Sequence, residues 1–115
     1  MQFFETIFLE EADNFMQTLD KKTQKKVIYN VRVAEQTNDS ELFKKLNKNI
    51  WEFRTKFLGK HIRVLAFWDK TEKVETFVLA TNGLIKKTSK TPKSEIERAE
   101  RIRKEYFNNK NNNRR

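Results

Sequence analysis

Residues 50–68 read IWEFRTKFLGKHIRVLAFW, and no other segment constrains the architecture as tightly. The first half alternates, with Trp51 and Phe53 on one side and Arg54 on the other, as in a half-buried strand. The second half is almost wholly apolar, which is typical of a central strand. The tight connection at Gly59 predicts that the two strands form an antiparallel hairpin.

Hydrophobic periodicity and turn residues predict the elements on both sides of this hairpin. Strands are predicted over 3–9, 50–57, 61–68 and 73–81, and helices over 10–19, 22–34 and 92–107. Asn82-Gly83 is expected to end or bend the last strand, and Thr91 to cap the last helix. The order β-α-α-β-β-β-α indicates an α+β fold. In it an N-terminal helical hairpin packs on one face of a mostly antiparallel four-stranded sheet, and the other face stays partly open.

The chain has 115 residues, which suits one domain with a single core. Residues 1–107 are expected to form that domain and 108–115 a polar, disordered tail. No apolar run approaches the ~18 residues of a membrane span, and no signal peptide is recognisable. A cytoplasmic protein without a membrane partner is therefore expected.

The formal net charge is +9, and it is unevenly distributed. Residues 82–115 contain 11 basic and 4 acidic side chains and so carry most of the excess. Such an excess attracts phosphate backbones. A surface that only keeps the protein in solution would show the same excess, so charge alone does not identify a partner.

Several kinds of site are excluded by composition. The chain has no cysteine, one histidine and two glycines, which lie at positions 59 and 83. Thiolate and multi-histidine metal sites, cysteine nucleophiles and glycine-rich phosphate loops are therefore ruled out. Neither a metal nor another cofactor is expected.

Cations on the predicted hairpin indicate a phosphate-sized pocket. Arg54 and Lys56 share a face of one strand, His61 and Arg63 share a face of the next, and pairing would bring them together. Residues 86–90, rich in lysine, follow the next strand. Such a pocket suits metal-free RNA cleavage, in which the RNA 2′-hydroxyl attacks the adjacent phosphate and cations stabilise the transition state. The groups left open for proton transfer are Glu52, Lys56, His61, Lys87 and Tyr106.

Several motifs of the chain resemble a known toxin superfamily. They are Ile50-Trp51-Glu52-Phe53-Arg54, Arg63-Val64-Leu65-Ala66-Phe67, GLIKKTSKTP at 83–92, and Glu95-Ile96-Glu97-Arg98-Ala99. The opening Phe8-Leu9-Glu10-Glu11-Ala12 also fits. Over residues 3–107 the chain resembles the RelE/ParE superfamily, and most closely its HigB-like, phage-derived branch.

The resemblance implies a small RelE-like fold and the toxin of a type II toxin–antitoxin module. Many members bind in the ribosomal A site, where they contact rRNA. They cut mRNA there without a metal ion and leave a 2′,3′-cyclic phosphate. The cognate antitoxin of this branch often has a helix-turn-helix DNA-binding domain. By position, the resemblance assigns catalysis to Arg54, Arg63 and Lys87. Lys56 and His61 complete the predicted catalytic set, and the predicted RNA-binding residues are Lys86, Lys90, Lys93 and Arg101.

Two other functions stay open from the sequence. A ParE-like poison of DNA gyrase would share the fold without cutting nucleic acid, and a basic RNA-binding module would have no activity. In the second case Trp51, Phe53 and Phe67 would stack on bases, although aromatic residues that alternate on strands are usually core. Tyr106 fits a packing role or the tyrosine that some relatives use early in the last helix.

Overall fold

The computed structural model describes residues 2–73, 75–86 and 90–113. Within them, three helices and five strands follow the predicted order with one strand added. The strands are β1 (Glu5–Phe8), β2 (Phe43–Lys45), β3 (Trp51–Phe57), β4 (Lys60–Asp69) and β5 (Phe77–Lys86). The helices are α1 (Glu10–Gln17), α2 (Lys21–Thr37) and α3 (Lys93–Asn113). The predicted α+β class is confirmed.

The strands form one sheet in the order β1-β5-β4-β3-β2. β1 pairs parallel with β5, and the other three pairings are antiparallel. The strand β2 at the edge corrects the predicted number of strands from four to five. Only three of its residues pair with β3, with Phe43 opposite Phe53, and so short a strand has no periodicity that a sequence pattern can reveal.

The hairpin of β3 and β4 fixes which side chains face each other. Both turn residues, at positions 58 and 59, have positive φ, 51° and 76°. This is type I′ geometry, whose twist matches that of the flanking strands in a two-residue hairpin. The resulting register places Lys56 opposite His61 and Arg54 opposite Arg63. The predicted antiparallel hairpin is confirmed.

Helices cover both faces of the sheet, which corrects the prediction that they cover one. The buried residues Val31 and Val64 belong to the core between α2 and the sheet. On the opposite face Ala99 of α3 packs with Leu65 and Phe67. β4 is apolar at both sets of alternating positions, so each of its faces needs a covering layer.

A β-bulge in β5 determines which of its last residues shares a face with the arginines. Between Leu65 and Ala66 of β4 the pairing with β5 skips Thr81, whose hydroxyl donates to the carbonyl of Leu65 at 3.1 Å. One extra residue reverses the two faces beyond it. Lys86 therefore lies on the face opposite to α1 and α2. The prediction that Asn82-Gly83 ends or bends the strand is wrong in position: the irregularity lies at Thr81, Asn82 and Gly83 pair regularly with β4, and the strand continues to Lys86.

The C-terminal helix extends further than the sequence predicts. It ends at Asn113, so residues 108–113 of the expected tail are helical. Buried Asp69 holds the last turns, because Tyr106 Oη donates to its carboxylate at 2.6 Å and Lys110 Nζ at 2.7 Å. Burial raises the pKa of Asp69, but hydrogen bonds from Lys110, Thr71 and Tyr106 outweigh burial and bring it well below its usual range. Tyr106 is thus a packing and anchoring residue.

Among the described helices, none has the length and apolar character needed to cross a bilayer.

Candidate functional site

The sheet face that α3 partly covers also carries a group of basic side chains. We call Arg54, Lys56, His61, Arg63 and Lys86 the cationic cluster. Lys56, His61 and Lys86 lie side by side across β3, β4 and β5, and Arg54 and Arg63 form the next row. The predicted meeting of the two pairs across the hairpin is observed. Lys86, predicted as an RNA contact and as part of the stretch that contributes to the pocket, joins them on this face because of the bulge.

Glu52 is the counter-ion of the cationic cluster. Its carboxylate is buried, and Oε2 lies 3.5 Å from Nε of Arg54 and 3.6 Å from Nε of Arg63. Two arginines directly opposite each other on a sheet would otherwise repel. One carboxylate shared among several cations leaves the cluster with a net positive charge, which favours a bound anion.

Thr91 connects Lys86 to Glu52. The Thr91 hydroxyl donates to Oε1 of Glu52 and accepts a hydrogen bond from Nζ of Lys86 at 2.9 Å. The sequence predicts that Thr91 caps α3, but α3 begins at Lys93, so Thr91 is not its N-cap. Burial lowers the pKa of Lys86, and Glu52 opposes this shift.

His61 has the properties of a general base. Its pKa lies below the ordinary 6.5, first because of burial and then because of the charges of Arg63, Lys56, Lys86 and Arg54. The neutral imidazole therefore predominates at pH 7, and one of its ring nitrogens accepts a proton. A neutral histidine among cations is able to take a proton close to a bound phosphate.

Arg63 is a buried cation that faces Glu52. Its side chain is 3% exposed. Nη1 donates to the carbonyl of Ile62 at 3.3 Å, and the buried Nε lies 3.6 Å from Oε2 of Glu52, just beyond hydrogen-bond distance. Burial lowers the pKa of Arg63 and Glu52 raises it, but a guanidinium stays protonated in proteins. Arg63 therefore adds a positive charge that Glu52, shared with Arg54, only partly neutralises.

The cationic cluster borders an open pocket of 410 Å³. Its lining includes Arg54, Lys56, His61 and Arg63, together with Lys26 of α2. The volume falls within the roughly 300–1,000 Å³ of small-molecule sites. The space that a nucleotide requires is therefore present beside four of the five predicted catalytic residues.

The other predicted site residues do not join the cluster. Lys87 lies outside the described residues, and Lys90 is exposed. Lys93 forms an ion pair with an acidic residue of α3 at 3.9 Å, and Arg101 with one of α1 at 3.8 Å. RNA binding by Lys90, Lys93 and Arg101, and catalysis by Lys87, stay predictions.

The sequence did not identify the roles of Glu52 and Thr91. Glu52 is open in the sequence for proton transfer, but its two arginine contacts make it a counter-ion. The alternation of β3 carries the signal, since Glu52 is the one acidic residue on a strand face that it shares with Arg54 and Lys56. No local pattern reveals Thr91, because its contact with Glu52 spans 39 positions.

Metal ligands are not grouped in the part of the chain that the structure describes. Within that part, no three histidine, aspartate or glutamate side chains lie together as the ligands of a metal ion would.

Comparison with known proteins identifies one family. Residues 14–104 match the model of the family described as phage derived protein Gp49-like (DUF891). The matched range contains β2 to β5 and therefore every member of the cationic cluster. No curated protein matches the chain significantly.

Proposed function

Because the chain belongs to the phage-derived Gp49-like family, within the RelE toxin–antitoxin superfamily, we propose that it is the toxin of a type II module. More specifically, we propose an mRNA endonuclease of the HigB-like branch that acts in the ribosomal A site. Family membership supports the toxin, and the cationic cluster supports the cleavage.

The proposed reaction uses the RNA 2′-hydroxyl as nucleophile. His61 takes the proton of this hydroxyl as its oxygen attacks the adjacent phosphorus. Arg54 and Arg63 bind the non-bridging oxygens and stabilise the charge that develops on the phosphorane. Lys56, opposite His61 in the hairpin, gives a proton to the 5′-oxygen as the P–O bond breaks. The products are a 2′,3′-cyclic phosphate and a 5′-hydroxyl.

One observation carries this proposal: Arg54, Lys56, His61 and Arg63 line one pocket. The two arginines share the carboxylate of Glu52, so the charge of these cations is only partly neutralised. A phosphate bound in the pocket would lie close to the guanidinium groups and would place the 2′-hydroxyl beside the imidazole.

The proposed partners are mRNA on the ribosome, with rRNA contacts, and a cognate antitoxin with a helix-turn-helix DNA-binding domain. The net positive charge of the cationic cluster fits an antitoxin segment with acidic side chains that covers the pocket. Co-expression of the two genes of the operon, followed by purification on a tag carried by the toxin, tests this partner.

Primer extension on translating ribosomes tests the proposed activity. The wild-type protein is expected to produce cuts within the A-site codon in the presence of EDTA. His61→Gln is expected to slow cutting by roughly 10²–10⁴-fold, the range of a lost general base. Lys104→Met, which removes an exposed charge on α3, serves as the control and is expected to cut at the wild-type rate. Full activity of His61→Gln would contradict the assignment, and gyrase inhibition without RNA cuts would favour the ParE-like alternative.

A further inference from the structure

A second pocket, 430 Å³ in volume, lies at the other end of β3. We call it the tryptophan pocket, and the residues that matter in its lining are Trp51, Trp68, Lys45, Lys48, Lys70 and Arg103. The two indole rings lie 5.6 Å apart at an angle of 72°, and both are partly exposed. They are the only two tryptophans of the chain.

The charges of the tryptophan pocket are all of one sign. Its four cations are Lys45, Lys48, Lys70 and Arg103, and no acidic side chain lines it. Within the described residues none of the four forms an ion pair with a carboxylate. Nζ of Lys70 lies 4.9 Å from the centre of the Trp68 ring. The cationic cluster differs in this respect, because Glu52 offsets part of its charge.

The polar edge of Trp68 is a further unusual feature. Its indole N–H is buried and has no acceptor among the described residues. A tryptophan that serves only as core normally has this donor paired. Within the described residues the Trp68 ring is therefore held by packing and not by a hydrogen bond.

Aromatic faces surrounded by cations, without acids, fit a planar base attached to a phosphate. Proteins bind single-stranded nucleic acids in this way, with rings that stack on bases and basic groups that follow the backbone. We infer that the tryptophan pocket binds a nucleotide of single-stranded RNA by stacking its base on Trp51 or Trp68. The inference takes RNA as the ligand from the proposed function, but it requires no cleavage.

The two pockets adjoin the same edge strand. Leu42, next to β2, lines the pocket of the cationic cluster, and Lys45, the last residue of β2, lines the tryptophan pocket. Lys44, between them, is exposed. Trp51 and Lys56 are five residues apart on β3, a separation of about 17 Å at the usual rise per residue. One RNA strand that crosses the β2 edge is thus able to reach both pockets.

Intrinsic fluorescence tests this inference directly, because both tryptophans line the pocket. The probe is a 2′-O-methyl RNA octamer, which cannot be cut through its 2′-oxygen, so that binding is measured whether or not the protein is a nuclease. Saturating RNA is expected to quench tryptophan emission, and an abasic ribose-phosphate octamer is expected to bind at least tenfold more weakly. Absence of quenching at saturation, as judged by anisotropy of a labelled octamer, would overturn the inference.

Charge-removing variants provide a second test that leaves both rings in place. Lys48→Ala combined with Lys70→Ala is expected to weaken octamer binding at least tenfold. The control is Lys25→Ala, which removes an exposed charge from α2, and less than a twofold change is expected. Equal effects of the double variant and the control would contradict an RNA site. Unchanged RNA affinity together with weaker binding of the antitoxin would assign the pocket to the protein partner and also overturn the inference.

Discussion

A double-mutant cycle on Glu52 and Arg63 tests whether a shared buried carboxylate holds the cationic cluster together. Both side chains are 3% exposed, and Nε of Arg63 lies 3.6 Å from Oε2 of Glu52. Removal of one member of a buried pair leaves the other uncompensated and costs about 3–5 kcal/mol. Arg54 is a partly exposed second partner of Glu52, so we expect Arg63→Met to cost less than Glu52→Gln.

The magnitudes follow from these contacts. Glu52→Gln is expected to lower the free energy of unfolding by about 3 kcal/mol and Arg63→Met by about 2 kcal/mol. The double variant is expected to lose about 1 kcal/mol, because the carboxylate and the guanidinium of the buried pair are then removed together. A domain of this size has about 5–15 kcal/mol of stability, so each variant is expected to remain folded. The coupling energy would be about 4 kcal/mol.

Urea unfolding followed by circular dichroism measures each corner of the cycle. The control is the exposed pair Lys93 and Glu97, which are 91% and 67% exposed and 3.9 Å apart. Its coupling is expected to stay below about 0.5 kcal/mol. Additive losses at Glu52 and Arg63, within the error of the control cycle, would refute the reasoning. Glu52→Gln is also expected to bind RNA more tightly, since it removes the negative charge from the cluster.

Three further predictions follow from individual contacts. His61 is the only histidine of the chain, so its NMR titration is unambiguous. Its pKa is expected below 6.5, because burial and the neighbouring cations lower it. Lys56→Met is expected to raise this pKa, and an unchanged pKa in the variant would contradict a contact between the two side chains. Asp69 has a folded-state pKa below its unfolded value because its hydrogen bonds outweigh burial. The ionised carboxylate of Asp69 therefore stabilises the fold fully above about pH 4, and this contribution is lost as the pH falls further. In urea unfolding, the free energy of unfolding of Asp69→Asn is expected to fall less between pH 7 and pH 3 than that of the wild type. Gly83→Ala places a Cβ 2.2 Å from Cδ2 of Phe15 in α1. The variant is expected to lower the free energy of unfolding by about 1–3 kcal/mol, measured by thermal unfolding. An unchanged stability would show that α1 moves away without cost.

The sequence predicted those parts of the site that depend on local structure. Alternation along β3 and the turn at Gly59 are sufficient to predict that Arg54 and Lys56 meet residues of β4 across an antiparallel hairpin. The exact register, with Arg54 opposite Arg63, is set by a two-residue turn, whereas the sequence predicts a connection over residues 58–60. The order of elements follows from periodicity in the same way. These predictions need no knowledge of which distant segments pack together.

The parts that the sequence could not predict depend on tertiary contacts. The bulge at Thr81 reverses the faces of β5 and so brings Lys86 into the cluster, and an apolar pattern does not show where such a residue is inserted. The packing of α3 on the sheet face opposite to α1 and α2 depends on the path that the chain takes after residue 90, and this path is not encoded in a local pattern. The helical end of α3 depends on Asp69, which lies 41 positions before Lys110.

The most direct test of the central claim uses one chemical group of the substrate. Ribosomes are programmed with an mRNA that carries a single 2′-deoxynucleotide at the position normally cut, and the products are compared with those of the unmodified mRNA. If the cationic cluster acts through the neighbouring 2′-hydroxyl, the unmodified mRNA yields a 2′,3′-cyclic phosphate in EDTA and the substituted position stays intact. Cleavage at the substituted position at an undiminished rate would contradict the account.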